Sequence, residues 1–280
     1  MMPVAEKILK SGGKLFAWME QVNSNGNFLK IFKTIIVLLV LSYFFIVIGG
    51  RIDPDFGWHI KVGDWILQNR QVPRTDEFSH TMYGYQWIDH EWAMNALLFA
   101  AIENNLGLLV NFAFSLLATI PFAYWIFRAR SYASFFPLLI GVFAISSFVA
   151  VRPAVISFVL FFVLYEILNA RYGQRGFKRG PYFFAAILLF IWFWANIHAG
   201  FIVGIALVCL FVISDHGERF FYSRKFDVKK FGGDICLVAG CFLVSLINPY
   251  GYGVFEEILR IMRSSEVYMY IMEWRSGFFQ

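Results

Sequence analysis

The chain has 280 residues, of which 59% are apolar and 15% charged, with 34 phenylalanines and a formal net charge of +5. An ordinary soluble domain is about 45–50% apolar and about 25% charged, so the composition excludes soluble, disordered, collagen-like and low-complexity classes and points to an all-α polytopic transmembrane helix bundle. A basic excess suits nucleic acid or membrane topology, and topology is weighed first because Lys and Arg collect in cytoplasmic loops.

In chain order, residues 1–32 read as a cytoplasmic amphipathic segment, with Ile8, Leu9, Leu15, Phe16 and Met19 opposite Lys7, Lys10 and Lys14 at helical spacing. About thirty residues with five lysines and no small-residue cleavage site make the first apolar run an uncleaved membrane helix. Spanning takes about 20 apolar residues. The predicted crossings are 33–50, 106–127, 133–151, 154–170, 181–197, 199–215 and 234–252. The stretch 181–214 has basic flanks at both ends and is about 50 Å long as one helix, so it is read as two crossings that reverse at Asn196, His198 and Gly200.

Residues 91–104 decide the orientation. As an external helix along the membrane surface, they leave 16 of the 24 Lys and Arg residues inside; as a crossing, they would put the clusters at 171–179 and 219–230 outside. The expectation is therefore seven crossings of the cell (inner) membrane. The N-terminus is cytoplasmic, and the bundle 33–252 carries an external loop at 51–105 and an external C-terminal segment at 253–280. The basic charge is then topological, and no nucleic-acid partner is implied.

Twelve of 19 carboxylates and four of five histidines follow the external segments. Asp53-Pro54-Asp55 comes just after the first span and reads as a helix start, with Asp53 as N-cap and Pro54 at the first helical position. Asp55, Trp58, His59 and Asp64 follow on that helix, and Asp89-His90-Glu91-Trp92 opens the next. Arg152 sits between two apolar runs, and Asn196 and His198 lie within WFWANIHAGF. Each has a plain structural reading: Arg152 snorkelling, Asn196 and His198 satisfying a turn, the Asp-Pro carboxylates capping. Together on one face they are the ingredients for general-base chemistry on a phosphate-bearing lipid. Cys209, Cys236 and Cys241 lie in apolar runs and read as core residues without zinc-ligand spacing. The Walker and Rossmann glycine patterns are missing, so no nucleotide cofactor is implied.

The run DPDFGWHIKVGDWILQNRQVPRTDEFSHTMYGYQWIDHEW, then RPAVIS, WANIHAGF, NPYG and MEW, resembles bacterial polytopic membrane proteins of the GT-C glycosyltransferase superfamily, similar to protein O-mannosyltransferases and oligosaccharyltransferases. The resemblance spans roughly residues 30–275. It implies transfer of a sugar from a polyprenyl-phosphate donor to an acceptor on the external face, with membrane lipids and the lipid-linked sugar as partners. It places catalytic carboxylates at Asp53 and Asp55, acting as base or, in the oligosaccharyltransferase branch, holding a divalent metal. Arg152 is then assigned to the lipid phosphate, and His59, His90, Glu91, Asn196 and His198 to sugar or acceptor contacts. Members generally run longer, so the chain reads as a short or truncated member. The alternative is a non-catalytic GT-C-like subunit that binds lipid or scaffolds another membrane subunit.

Overall fold

The computed structural model describes residues 26–51, 53–129, 134–173, 181–223 and 227–265. The amphipathic residues expected between Lys7 and Met19 and the Met272-Glu273-Trp274 motif lie outside these. Among the described residues ten helices follow one another: α1 (Gly26–Gly49), α2 (Phe56–Asn69), α3 (Trp92–Glu103), α4 (Gly107–Arg128), α5 (Phe135–Ser146), α6 (Pro153–Tyr172), α7 (Pro181–Ile197), α8 (Phe201–Glu218), α9 (Val228–Ser245) and α10 (Gly253–Arg263). A π-helical turn, Arg219–Ser223, extends α8. Among the described residues the only extended pairing is an isolated bridge between Thr75 and Gln86, so the fold is all-α.

Asn27–Gly49, Gly107–Arg128, Pro153–Tyr172 and Phe201–Tyr222 are long and apolar enough to cross a membrane, as befits a membrane protein. The remaining apolar helices, α3, α5 and α7, are shorter, and α9 carries Lys229, Lys230 and Asp234 in its sequence.

Three expectations about boundaries are corrected. The run 133–151 yields a helix only over Phe135–Ser146, 12 residues, or about 18 Å at the α-helical rise; turns and bends follow it. The run 234–252 is helical earlier than expected, ending at Ser245. There Asn248 folds the chain into a turn: its Nδ2 donates to Ser245 O (2.7 Å) and its Oδ1 accepts from Tyr250 N (2.8 Å). Finally, Pro54 and Asp55 form a turn and α2 begins at Phe56, so Asp55 holds the N-cap position, without a side-chain cap bond. Of the cysteines, Cys241 is buried and Cys209 half-buried as expected, but Cys236 is exposed; all three are free.

The chain packs as two compact units. One takes the described chain through Asp53 together with Leu108–Val151. It is fastened where helix ends leave carbonyls open. The buried Lys33 ammonium donates to Phe127 O (3.0 Å) and Ala129 O (2.6 Å) at the end of α4, the negative end of that helix dipole. Arg51 donates to Ser146 O (2.8 Å), the last residue of α5. The start of α1 therefore lies at the end of α4, and its end at the end of α5. The fully buried Phe44 packs on Phe122, ring centroids 6.1 Å apart.

The other unit takes Pro54–Gly107 and the chain from Arg152 onward. Its core joins Leu164 and Leu168 of α6, Ile191 and Trp194 of α7, Phe201 and Val208 of α8, and Leu237 of α9. Helices α2 and α3 touch at Gly63, where a Cβ would fall 2.1 Å from Asn95 O; only glycine admits this approach, and it sets His59 beside Asn95. The segment between α2 and α3 is held by rings: Phe78 packs edge-on against Trp87 (5.3 Å) and Trp58 (5.9 Å). Two sequence motifs meet there. Tyr250 Oη donates to Pro73 O (2.8 Å) and Arg74 donates to Pro249 O (2.9 Å), tying the Asn-Pro-Tyr-Gly turn to Val-Pro-Arg-Thr.

Candidate functional site

Glu91 stands at the N-cap position of α3, and its carboxylate lies between two histidines. His198 Nε2 is 3.2 Å from Oε1 and His59 Nδ1 is 3.7 Å from Oε2. The first is a hydrogen-bond distance; the second is too long for one.

His198 occupies the reversal between α7 and α8, as the sequence placed it. Its tautomer follows from its partners. The backbone N–H of Gly200 can only donate, and it does so to Nδ1 at 2.9 Å. Nδ1 is therefore an acceptor, and the hydrogen sits on Nε2, the nitrogen 3.2 Å from Glu91 Oε1. Trp194 Nε1, also a donor only, gives its hydrogen to Ser157 Oγ (2.7 Å), and that hydroxyl in turn lies 2.7 Å from His198 Nδ1, sharing with the Gly200 N–H the single lone pair of that nitrogen. The result is a directed chain, Trp194 to Ser157 to His198, which fixes the His198 ring beside the Glu91 carboxylate.

A second chain converges on the same place. Asp89 Oδ1 accepts from Glu91 N (3.0 Å), turning the backbone into α3. Asp89 Oδ2 accepts from Asn95 Nδ2 (2.9 Å), which leaves Asn95 Oδ1 to accept from His59 Nδ1 (2.7 Å). Asp89, Asn95 and His59 are all buried and satisfy one another, as buried polar groups must.

Electrostatics agree with the hydrogen bonding. Burial pushes His198 down to about 3, with the positive charges of His90, Arg152 and His59 acting the same way. The ring is thus neutral at pH 7. Burial also lowers His90, against the attraction of Glu257. Asp89 moves the opposite way: burial raises it to about 6, against the hydrogen bonds from Glu91 N and Asn95.

Of the residues singled out from the sequence, His59, Glu91 and His198 are brought into direct proximity, and His90 joins them with its ring centroid 6.3 Å from that of His198. Arg152 precedes Pro153 at the start of α6, and its charge is felt at His198. Asp55 is exposed one helical turn before His59, whose N–H donates to Asp55 O (3.1 Å), so the two share a helix face. Asn196 serves the turn instead, donating to Trp192 O (2.9 Å) and Ile247 O (3.1 Å). Asp53 is buried, 6% exposed, and belongs to the other unit.

Sequence reasoning passed over the roles of Asp89, Asn95, Ser157 and Trp194. Asn95 and Ser157 were visible as lone polar residues in apolar helices, but their partners lie 36 and 41 positions away, a separation no local pattern encodes. Among the described residues, the histidine and carboxylate ligand atoms that lie mutually within 4.8 Å belong to Asp215, His216 and Asp234, at the opposite end of α8 from His198. There Lys230 and Arg219 already pair with Asp215, and His216 Nε2 lies 3.0 Å from Asp234 Oδ2. Protein cations thus occupy the role a metal would fill.

No family model matches the sequence, no curated protein matches it, and no solved structure matches the fold.

Proposed function

We propose that this chain is a membrane glycosyltransferase that moves a sugar from a polyprenyl-phosphate donor to an acceptor hydroxyl on the external face of the inner membrane. In this reading the helices cross seven times, with the N-terminus cytoplasmic and the C-terminus external, as the 16-of-24 distribution of basic residues favours.

The observation that carries the reading is the grouping of these residues in one unit: Asp55 one helical turn before His59, Glu91 between His59 and His198, and Arg152 close enough for its charge to act on His198. A base must reach its substrate, so Asp55 rather than buried Asp53 takes the role. The acceptor O–H proton passes to the Asp55 carboxylate as the oxygen bonds to the anomeric carbon. The bond from that carbon to the phosphate oxygen breaks, and its electron pair leaves with the polyprenyl phosphate. Arg152 pairs with the developing phosphate charge. Glu91, oriented by His198, accepts hydrogen bonds from sugar hydroxyls. One displacement inverts the anomeric configuration.

The mutual satisfaction of Asp89, Asn95 and His59 equally suits a structural staple, the form expected of a non-catalytic subunit that binds lipid or scaffolds a complex. The two readings separate in one experiment. Protein in proteoliposomes is given polyprenyl-phosphate sugars, and free polyprenyl phosphate is measured by mass spectrometry. Time-dependent release supports transfer; lipid bound without turnover, at equal affinity in Asp55→Asn and Arg152→Ala, supports the subunit.

A further inference from the structure

We infer that the cleft between residues 82–88 and α10 is a binding subsite for a neutral, hydroxyl-bearing saccharide. As the acceptor subsite it rests on the transferase reading; as a sugar-binding cleft it stands apart from it.

The cleft has a volume of about 290 Å³ and is walled by Tyr85, Gln86 and Ile88 on one side and Glu256, Glu257 and Arg260 on the other. Small-ligand pockets run from about 300 to 1,000 Å³, so this one suits a single sugar ring rather than a lipid or a nucleotide. Its first wall is a built surface. Asp76 N donates to Tyr85 O (2.8 Å), Trp87 N donates to Arg74 O (3.0 Å), and Gln86 is bridged to Thr75. Gly84, at φ +79°, supplies the left-handed turn that brings Tyr85 and Gln86 around. The second wall is fixed where Gly253, at the start of α10, meets Ile88: a Cβ there would lie 3.0 Å from Ile88 Cδ1.

The chemistry of the walls selects the ligand. Tyr85 is 62% exposed, and its electron-rich face suits the C–H face of a sugar. Arg260 is taken up by Glu257 through two bonds, Nε to Oε2 (3.0 Å) and Nη2 to Oε1 (2.7 Å), so Glu256 leaves the cleft with a net negative charge. Such a cleft repels phosphates and carboxylates and accepts hydroxyl donors at its carboxylates and the Gln86 amide. The phosphate of a donor belongs with Arg152, and the neutral partner belongs here. The location is consistent: Ile88 immediately precedes Asp89, His90 and Glu91, and the charge of Glu257 is felt at His90.

The test uses the full chain in phospholipid nanodiscs prepared without glycoside detergent. Methyl mannoside, methyl glucoside, N-acetylglucosamine and glucose 6-phosphate are each titrated and followed by saturation-transfer NMR. At least one neutral sugar should show saturable transfer and outcompete glucose 6-phosphate. Its affinity should fall about tenfold in Tyr85→Ala, the equivalent of one lost stacking contact, fall in Glu257→Gln, and persist in Tyr85→Phe. Absence of binding for every neutral sugar, equal binding by Tyr85→Ala, or preference for glucose 6-phosphate overturns the inference. Sugar binding without any sugar transfer would uphold the cleft and sink the transferase reading. Transfer with kcat/KM unchanged in Tyr85→Ala would overturn the acceptor subsite and leave the transferase reading standing.

Discussion

Glu91 Oε1 lies 3.2 Å from His198 Nε2, and that nitrogen carries the hydrogen because His198 Nδ1 accepts from the Gly200 N–H. The pair is therefore set by groups on α6, α7 and the α7–α8 reversal, not by Glu91 itself. Removing the middle of the relay should be felt at both ends. Ser157→Ala leaves the indole N–H of Trp194, a residue 1% exposed, without its acceptor, at a cost of about 1–3 kcal/mol. In a double-mutant cycle with Trp194→Phe the losses should be clearly less than additive. Additive losses in thermal unfolding of nanodisc-embedded protein would contradict the relay.

Gly200→Ala tests the same relay by bulk. The added methyl would sit 2.5 Å from Ser157 Oγ and 3.0 Å from His198 Nδ1, so the ring must move. Overpacking of this kind costs about 1–3 kcal/mol. Gly57→Ala meets nothing within 4 Å on α2 and should be neutral or stabilising by up to about 1 kcal/mol. Equal unfolding temperatures for the two variants would show that the close approach at Gly200 is not real.

Stability should depend on pH in two opposed ways. Asp89 is raised in the folded state to about 6, so the folded chain holds its proton more tightly than the unfolded one. That contribution is present below about pH 4 and is lost as pH rises through 6, a change of ~3 kcal/mol for a shift of this size. His198 is lowered to about 3, so its contribution is present above about pH 6.5 and is lost as pH falls toward 3. Relative to wild type, Asp89→Asn should gain stability between pH 4 and 7, and His198→Gln should lose less on acidification. Parallel pH profiles for all three proteins would contradict both assignments.

Topology is tested with single cysteines in a background lacking Cys209, Cys236 and Cys241. Gln71 and Phe148 should label from outside and Tyr222 from inside. Phe148 is the informative position, because α5 is only 12 residues long. Labelling of Phe148 from the same side as Tyr222 would mean that α5 does not cross, and the seven-crossing reading would fail.

The helices were legible in the sequence because their apolar runs are long and their flanks charged, and the reversal at Asn196–Gly200 was legible from the basic residues on both sides of 181–214. The proximity of His59, Glu91 and His198 agrees with the expectation that their three segments share one face. Three things were not legible. The end of α9 depends on the Asn248 side chain bonding Ser245 O and Tyr250 N, which outweighs the apolar character of the residues around it. The contact between α2 and α3 depends on Gly63 having no side chain, and a lone glycine in a helix announces nothing. The grouping of residues 54–107 with the chain after Arg152 depends on pairings such as Tyr250 with Pro73, 177 positions apart.

The central claim is that Asp55 and Glu91 act together on a lipid-linked sugar, and its most direct measurement is the rate of polyprenyl-phosphate release by wild type, Asp55→Asn and Glu91→Gln in proteoliposomes. Asn fills an N-cap position about as well as Asp, so Asp55→Asn should fold with wild-type stability and lose roughly 10²- to 10⁴-fold in rate, the usual worth of a general base. Glu91→Gln should raise KM more than it lowers kcat, as expected for a group that binds rather than reacts. Release at the wild-type rate by Asp55→Asn, or no release by wild type from any polyprenyl-phosphate sugar, would contradict the account.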